Sequence, residues 1–255
     1  MNLVLELGSK IKHIIKVNNF KLQNKDKQKY KCPICNYYGP FLDINPFTGF
    51  RKNVFCPNCS SAERHRLQKL VQDKLFKDQD FSKKRMLHFA PEPFFQKLFK
   101  ETFKDYISVD LYMENVDVKA DIINLPFRDE EFDFVFASHV LEHIQDDLTA
   151  LSEIKRVIKP TGIAVLPVPI LSNKTVEYPE PNPFEAEHVR APGFDYYNRY
   201  ANYFQHVEQY SSNEFPEIYQ PFIYEDRTVW PPKECPLRQS MAGEKHLEIV
   251  PVCYV

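Results

Sequence analysis

Arg85-Met86-Leu87-His88-Phe89-Ala90-Pro91-Glu92, followed after one helical stretch by Tyr106-Ile107-Ser108-Val109-Asp110-Leu111, is where the chain changes character. Each segment is a short apolar run closed by polar residues, and Pro93 to Phe103 between them keep helical spacing. That pattern reads as strand, helix, parallel strand. It continues with a short third strand near Val116 to Ile122, a fourth at Phe132 to Ala137, a helix from Asp146 to Ile158, and a fifth strand at Ile163 to Pro167. Repeated units of this kind predict an α/β fold with a doubly wound, largely parallel sheet. Beyond Val168 the chain turns rich in Pro, Tyr and Asn, and only Tyr203 to Glu208 and Leu247 to Val252 keep strand character.

A doubly wound sheet binds its ligand outside the carboxyl ends of the strands. Those ends are polar here: strand one runs out into His88-Phe89-Ala90-Pro91-Glu92, strand two into Asp110 and Leu111, strand three into Asp121 and Ile122, and strand four into Ser138-His139. Asp110 follows Pro91 by 19 residues, close to the offset of about 20 at which an acidic side chain reaches the ribose of an adenosine cofactor. Asp121 falls where a carboxylate accepts from an adenine amino group. His139, Glu142 and His143 follow strand four, and Glu187-His188-Val189-Arg190 form a second polar cluster after strand five. A histidine base with an arginine anchor suits an acidic or hydroxylated substrate, although capping or packing is the plainer role for His143 and for the second cluster. Tyr196, Tyr197, Tyr200 and Tyr203 are expected to pack against the sheet.

Upstream, Cys32-Pro33-Ile34-Cys35 and Cys56-Pro57-Asn58-Cys59 form two CxxC knuckles separated by 20 residues. Two such knuckles bring four thiolates around one tetrahedral Zn²⁺, and a closed Cys₄ site is a structural staple without an open position for catalysis. Ser60-Ser61-Ala62-Glu63 then has the form of a capping box opening a helix to about Phe76. Residues 3 to 17 place Leu3, Leu7, Ile11, Ile14 and Ile15 on one helical face expected to pack on the body, with a Lys-rich linker over residues 18–31. The expected organisation is an amphipathic helix and basic linker over 1–29, a zinc ribbon with its following helix over 30–76, and a Rossmann-like domain over 84–255.

The formal net charge of −2 conceals an asymmetry, because residues 1–84 hold 17 of the 33 Lys and Arg but only 7 of the 35 Asp and Glu. A basic module invites a phosphate-bearing partner, while a solvated helix or docking onto the acidic body explains the same charges. With no signal-peptide pattern and no long apolar run, the sequence reads as a cytoplasmic protein without a transmembrane segment.

Taken in order, Asp121-Ile122-Ile123-Asn124-Leu125-Pro126-Phe127, Phe132-Asp133-Phe134-Val135, His139-Val140-Leu141-Glu142-His143-Ile144 and Arg156-Val157-Ile158-Lys159-Pro160-Thr161-Gly162 resemble class I S-adenosylmethionine-dependent methyltransferases of the type 11 kind. Leu87 to Glu92 together with Cys56 to Leu67 resemble, more narrowly, a subgroup with an N-terminal Cys₄ zinc ribbon. The resemblance covers about residues 30–170. It implies a Rossmann-like sheet and S-adenosyl-L-methionine held by His88, Phe89, Ala90, Pro91, Glu92, Asp110, Leu111, Asp121, Ile122, Ser138 and His139. It also implies a structural Zn²⁺ on Cys32, Cys35, Cys56 and Cys59, with catalytic candidates at His139, His143, His188 and Arg190. Two departures stand out: the glycine-rich turn after strand one is replaced by His88 to Glu92, and Thr161 replaces the first of two expected glycines. The leading expectation is a methyltransferase acting on oxygen of a small-molecule or carbohydrate-like acceptor, since strand four is not followed by an Asn/Asp-Pro-Pro-aromatic motif. An RNA methyltransferase gripping phosphates through the basic module, and an inactive zinc-ribbon binding protein, remain the alternatives. The sequence carries no sign of oligomeric state.

Overall fold

The structure, a computed structural model, describes residues 2–77 and 79–255, with side chains from residue 7 onward. Its main sheet has seven strands, numbered here in chain order: β1 Arg85–Phe89, β2 Asp105–Asp110, β3 Val118–Lys119, β4 Phe132–Ala137, β5 Ile158–Val165, β6 His206–Ser211 and β7 Ile249–Tyr254. Their spatial order is β3-β2-β1-β4-β5-β7-β6. Strands β1 to β5 pair in parallel, whereas β7 runs antiparallel to both β5 and β6. This is the Rossmann-like class I methyltransferase sheet that the resemblance implied, with its topological switch between β1 and β4.

Alternation along the strands divides the interior into two layers. Leu87, Phe89, Val135 and Ala137 face the helix Asp147–Val157, which contributes Leu151 and Ile154. Met86, Phe134 and Phe136 face the opposite way, onto Leu67 and Val71 of the helix Glu63–Phe76 and onto Phe95 and Phe99 of the helix Pro93–Thr102. With Asn2–Gln23 as α1, these three are α2 (Glu63–Phe76), α3 (Pro93–Thr102) and α4 (Asp147–Val157). Asp146 caps α4 by accepting from Thr149 N at 3.0 Å, and Pro93 opens α3 where its missing N–H costs nothing. Within β5, between its pairings at Ile158 and Ile163 where the register shifts, a Cβ on Gly162 would lie 2.4 Å from Ile158 Cγ2. That close approach requires glycine there, while Thr161 is accommodated beside it.

The cysteine-bearing module shares a sheet with a later part of the chain. Leu42–Ile44 pairs with Arg51–Phe55, and this ribbon is continued by Ile223–Glu225 and Lys245–His246 into one four-stranded sheet. Arg66 joins the pieces: fully buried, it donates to the carbonyls of Val54 (2.9 Å), Ser61 (2.8 Å), Tyr219 (3.0 Å) and Gln220 (2.9 Å), with its guanidinium 4.5 Å above the Phe41 ring. The expected grouping of α2 with the zinc ribbon therefore changes, because its apolar stripe Leu67, Val71, Leu75 is core of the main sheet.

Three further expectations shift. Helix α1 runs on to Gln23, through residues expected as linker. Its stripe does not dock on the body, for Leu7, Ile11, Ile14 and Ile15 are all at least half exposed; the Leu3 side chain lies outside the described residues. The helix is held instead near its middle, by Val17 against the cysteine cluster and by His13 Nε2, 2.9 Å from Asn58 O. Strand β5 begins at Ile158, earlier than Ile163, because the chain leaves α4 directly into pairing with Phe132.

Candidate functional site

At the switch point the glycine-poor turn keeps a glycine-like backbone. Ala90 sits in the left-handed region at φ +44° and donates to Val109 O at 3.1 Å, and His139, at the end of β4, takes φ +55°. Non-glycine residues pay about 1–2 kcal/mol for that conformation, and such strain gathers where a backbone must clear space for a ligand. The replacement of glycine thus altered the residue and left the turn.

From this turn Glu92 projects between two buried histidines, with Oε1 at 3.6 Å from His65 Nε2 and Oε2 at 3.5 Å from His88 Nε2. His65 Nδ1 accepts the Ala62 backbone N–H at 3.0 Å, so its proton resides on Nε2 and faces Glu92. Burial, reinforced by Arg64, His139 and Arg66, drives the His65 pKa down to about 2. His88 was expected at the cofactor, but strand alternation turns its ring to the α3 face. There it is fully buried against Phe99 and Phe136, with Nδ1 2.9 Å from the Tyr106 hydroxyl. Burial lowers its pKa, with Glu92 acting in the opposite sense. It orients Glu92 and does not reach the crevice. Phe89 and Ile122 are likewise core side chains and offer only backbone.

The other side of the crevice is built after β4. Ser138 Oγ accepts from Gln68 Nε2 of α2 at 2.9 Å. His139 Nδ1 lies 3.2 Å from Glu142 Oε1, and His143 Nε2 lies 4.0 Å from the same oxygen. Glu142 is fully buried and neither carboxylate oxygen has a hydrogen-bond partner. Burial opposes its ionisation, yet His139, His188 and His143 hold its pKa below the usual carboxylate range. The His188 ring centre is 4.7 Å from that of His143, and burial, against the pull of Glu142, brings its pKa down to about 4.

Arg190, expected as a substrate anchor, has another position. It is 2% exposed and donates to the carbonyls of Leu141 (2.8 Å), Ile144 (2.7 Å) and Gln145 (3.1 Å) and to Glu177 Oε2 (2.9 Å). Its donors are committed to holding the loop that carries Glu142 and His143, which makes it a positioning residue. Tyr196, Tyr197 and Tyr200 pack as expected, their hydroxyls bonded to Asp147 Oδ2, Val168 O and Leu166 O.

At the ends of β2 and β3, Asp110 Oδ1 accepts from Tyr112 N (2.7 Å) and Met113 N (2.8 Å), and Asp121 Oδ1 accepts from Ile123 N (3.2 Å). In each aspartate these local bonds engage Oδ1 and leave Oδ2 out, and Leu111 and Ile123, the apolar residues that follow in sequence, are exposed. A carboxylate next to an apolar platform suits a ribose and its base.

The four cysteines converge as the spacing predicts. Cys32 Sγ is 3.6 Å from Cys59 Sγ and Cys35 Sγ is 3.6 Å from Cys56 Sγ, far beyond a disulfide and close to the separation of about 3.8 Å for tetrahedral sulfurs 2.3 Å from zinc. Each knuckle is closed by a left-handed residue, Asn36 at φ +59° and Ser60 at φ +60°. Contact with Cys32 drives the Cys56 and Cys59 thiols well above their usual range, a conflict that one divalent cation resolves. The expected capping box over Ser60 to Glu63 is replaced by Ala62 as N-cap with His65 at N3, and Ser61 Oγ faces Cys32 and Cys59 at 3.4 and 3.2 Å.

Sequence reasoning missed the part played by α2. His65, Gln68 and Gln72 are buried with polar atoms outside any hydrogen bond, and Glu63 and Glu248 are buried as well, burial raising the pKa of Glu248. The signal was present as a second, polar stripe at positions 65, 68 and 72 beside the apolar one. A surface recess of about 340 Å³, lined by Asp129, Glu130, Arg156 and Gln205, lies at the opposite, amino end of the strands and holds none of these groups.

The family model described as a methyltransferase domain matches residues 87–166. Demethylmenaquinone methyltransferase of Staphylococcus saprophyticus is 44% identical over 54 residues, 21% of this chain and 23% of the relative; that of Staphylococcus carnosus is 46% identical over 54 residues, 21% and 22%. The chain thus spans under a quarter of the length of these curated relatives. Among solved structures, it is similar to an S-adenosylmethionine-dependent methyltransferase from Mesorhizobium loti, with TM-score 0.48, 13% identity, and coverage of 73% of this chain and 97% of that one. It is also similar to Haemonchus contortus phosphoethanolamine N-methyltransferase 2 in complex with phosphomonomethylethanolamine and S-adenosylhomocysteine, with TM-score 0.49, 15% identity, and coverage of 73% and 52%. The strand order of the main sheet is that of the Rossmann-like methyltransferase fold, and the match to the methyltransferase domain model falls within that sheet, over residues 87–166.

Proposed function

We propose that the protein is an S-adenosyl-L-methionine-dependent methyltransferase acting on an oxygen of a small or carbohydrate-like acceptor. The observation that carries this reading is the row of buried polar atoms along the switch-point crevice that make no hydrogen bond, His65 Nε2, Glu92 Oε2, His139 Nε2 and both oxygens of Glu142, where the carboxylates have only imidazoles at 3.2–3.6 Å beside them. Buried polar atoms in a folded protein require partners, and a crevice rich in carboxylates fits a cationic ligand. When bound, S-adenosyl-L-methionine supplies a methyl group on a sulfonium.

In this reading Asp110 and Asp121 bind the ribose and adenine through the carboxylate oxygens left over from their local turns, and Leu111 covers the base. Glu92, oriented by His65 and His88, places negative charge beside the cation. His139, poised against Glu142, accepts the proton of an acceptor hydroxyl, with His143 and His188 completing the acceptor side. Arg190 keeps that loop in place. Cys32, Cys35, Cys56 and Cys59 hold one structural Zn²⁺ whose closed shell supplies no chemistry.

Calorimetric titration of zinc-loaded protein with S-adenosylhomocysteine tests the cofactor site. Asp110→Ala and Asp121→Ala should each weaken binding by about 1–3 kcal/mol, and absence of binding to the folded parent favours the inactive zinc-ribbon reading. Methyl incorporation from labelled cofactor into cell extracts identifies the acceptor. Turnover on RNA, abolished by His139→Ala with cofactor binding intact, would overturn the small-acceptor assignment.

A further inference from the structure

We propose that Glu142, His143 and His188 form a second metal site, for a divalent transition-metal cation of the Zn²⁺ or Co²⁺ type, on the acceptor side of the crevice. One ligand atom from each residue lies within 4.8 Å of the others. A cation about 2.1 Å from each would draw them to roughly 3–3.5 Å apart, a closure within reach of side-chain rotation, since the His143 side chain is one-third exposed. Two imidazoles and one carboxylate are a catalytic type of donor set, which leaves positions open for water or an acceptor oxygen.

The independent pointer to a ligand is Glu142 itself. Its side chain is fully buried, neither oxygen is in a hydrogen bond, and only imidazoles stand beside it, His139 Nδ1 at 3.2 Å and His143 Nε2 at 4.0 Å from Oε1; a buried carboxylate in that condition needs a cation. Three imidazoles surround it, and three imidazolium ions so close would repel one another. One divalent cation instead satisfies the carboxylate together with neutral imidazoles.

The surroundings are those of a supported site. Behind His188 stands Glu185, a fully buried carboxylate held by the Tyr178 hydroxyl at 2.8 Å and by Arg238, with Oε2 at 3.8 Å from His188 Nδ1. With Nδ1 turned to Glu185, Nε2 is the nitrogen left for the cation. On the opposite side His139 Nδ1 faces Glu142 Oε1 at 3.2 Å. Arg190 fixes the carbonyls of Leu141, Ile144 and Gln145 around the two loop ligands. The site is separate from the cysteine cluster and differs from it in donors, with nitrogen and oxygen in place of sulfur. Its place beside the acceptor rests on the methyltransferase reading, whereas the binding of metal does not.

Full-length protein carrying one zinc per chain on its cysteines is titrated with Co²⁺ alone. One further equivalent should bind, and cobalt-edge X-ray absorption should show only nitrogen and oxygen donors, including two imidazoles. Glu142→Gln, which removes a buried charge while keeping shape, should weaken uptake at least tenfold. His143→Asn, on the exposed side of the cluster, should do the same without disturbing packing. No second equivalent in the parent, sulfur at the cobalt edge, or unchanged affinity in both variants would overturn the proposal. S-adenosylhomocysteine binding, measured on the same samples, separates the two readings: cofactor binding without cobalt uptake removes the metal site alone, and cobalt uptake without cofactor binding removes the methyltransferase reading alone.

Discussion

Ala90 carries the switch-point turn at a cost that glycine would not incur. With φ at +44°, Ala90→Gly should stabilise the protein by about 1 kcal/mol, the relief of left-handed strain exceeding the entropy lost by a more flexible unfolded chain. A denaturation midpoint that falls would contradict the left-handed assignment. His65 offers a pH signature. Its folded pKa is pushed to about 2, below the unfolded value near 6.5, so its contribution is fully present above pH 6.5. As the pH falls below 6.5 the unfolded chain takes up the proton first, and stability should drop by about 1.4 kcal/mol per pH unit from this residue. The groups facing it are Arg64, Arg66 and His139, which disfavour its charge, and Glu92, 3.6 Å away. Urea denaturation between pH 7 and 5 should lose that share of its slope in His65→Gln; an unchanged slope would place the acid sensitivity elsewhere.

Helix α2 is the element that joins staple to sheet. Leu67 is fully buried in the layer formed with Phe95, Phe134 and Val165, and Leu67→Ala should cost about 2–5 kcal/mol, depending on how far the cavity collapses. The same helix presents His65 and Gln68 to the crevice, so the variant should also weaken S-adenosylhomocysteine binding. An equilibrium-stable variant with parental ligand affinity would mean that α2 does not shape the site. Arg190 clamps the loop after β4 from the later strand His188–Ala191, and Arg190→Lys should lower turnover more than it lowers stability. A single ammonium cannot reproduce a fork that donates to three carbonyls and a carboxylate. Retention of parental turnover in Arg190→Lys would show that the loop holds its shape without the fork.

For the whole molecule, the shared four-stranded sheet predicts that metal loss is felt beyond the cysteines. The single tryptophan is the reporter: Trp230 Nε1 donates to Thr48 O at 3.0 Å, between the two CxxC knuckles in sequence, while Trp230 itself packs with Leu171 and Ala191 of the body. Removal by a chelator of the zinc proposed on the four cysteines should therefore shift Trp230 fluorescence and lower the thermal transition of the entire chain. Two separated transitions, with the tryptophan signal unchanged in the first, would mean that the module unfolds independently. Among the described residues no helix is long and apolar enough to cross a membrane.

The sequence by itself determined the order of strands and helices from Arg85 to Val165 and the four-cysteine cluster, because both rest on local spacing. Apolar runs closed by polar residues state where strands end, and CxxC pairs state which sulfurs can meet. That Asp110, Asp121, Ser138 and His139 stand at or just beyond strand ends was legible for the same reason. The tertiary structure alone decided which way His88 points, that Arg190 clamps a loop, that α1 leaves Leu7, Ile11, Ile14 and Ile15 exposed, and that Ile223–Glu225 extends a ribbon begun at Leu42. Each of these depends on a partner distant in the chain: Tyr106 for His88, Leu141 and Ile144 for Arg190, and Arg51 and Lys52 for residues 224–225. Pairings of that kind are set by how the two layers pack on the sheet, and no periodicity within one segment encodes them.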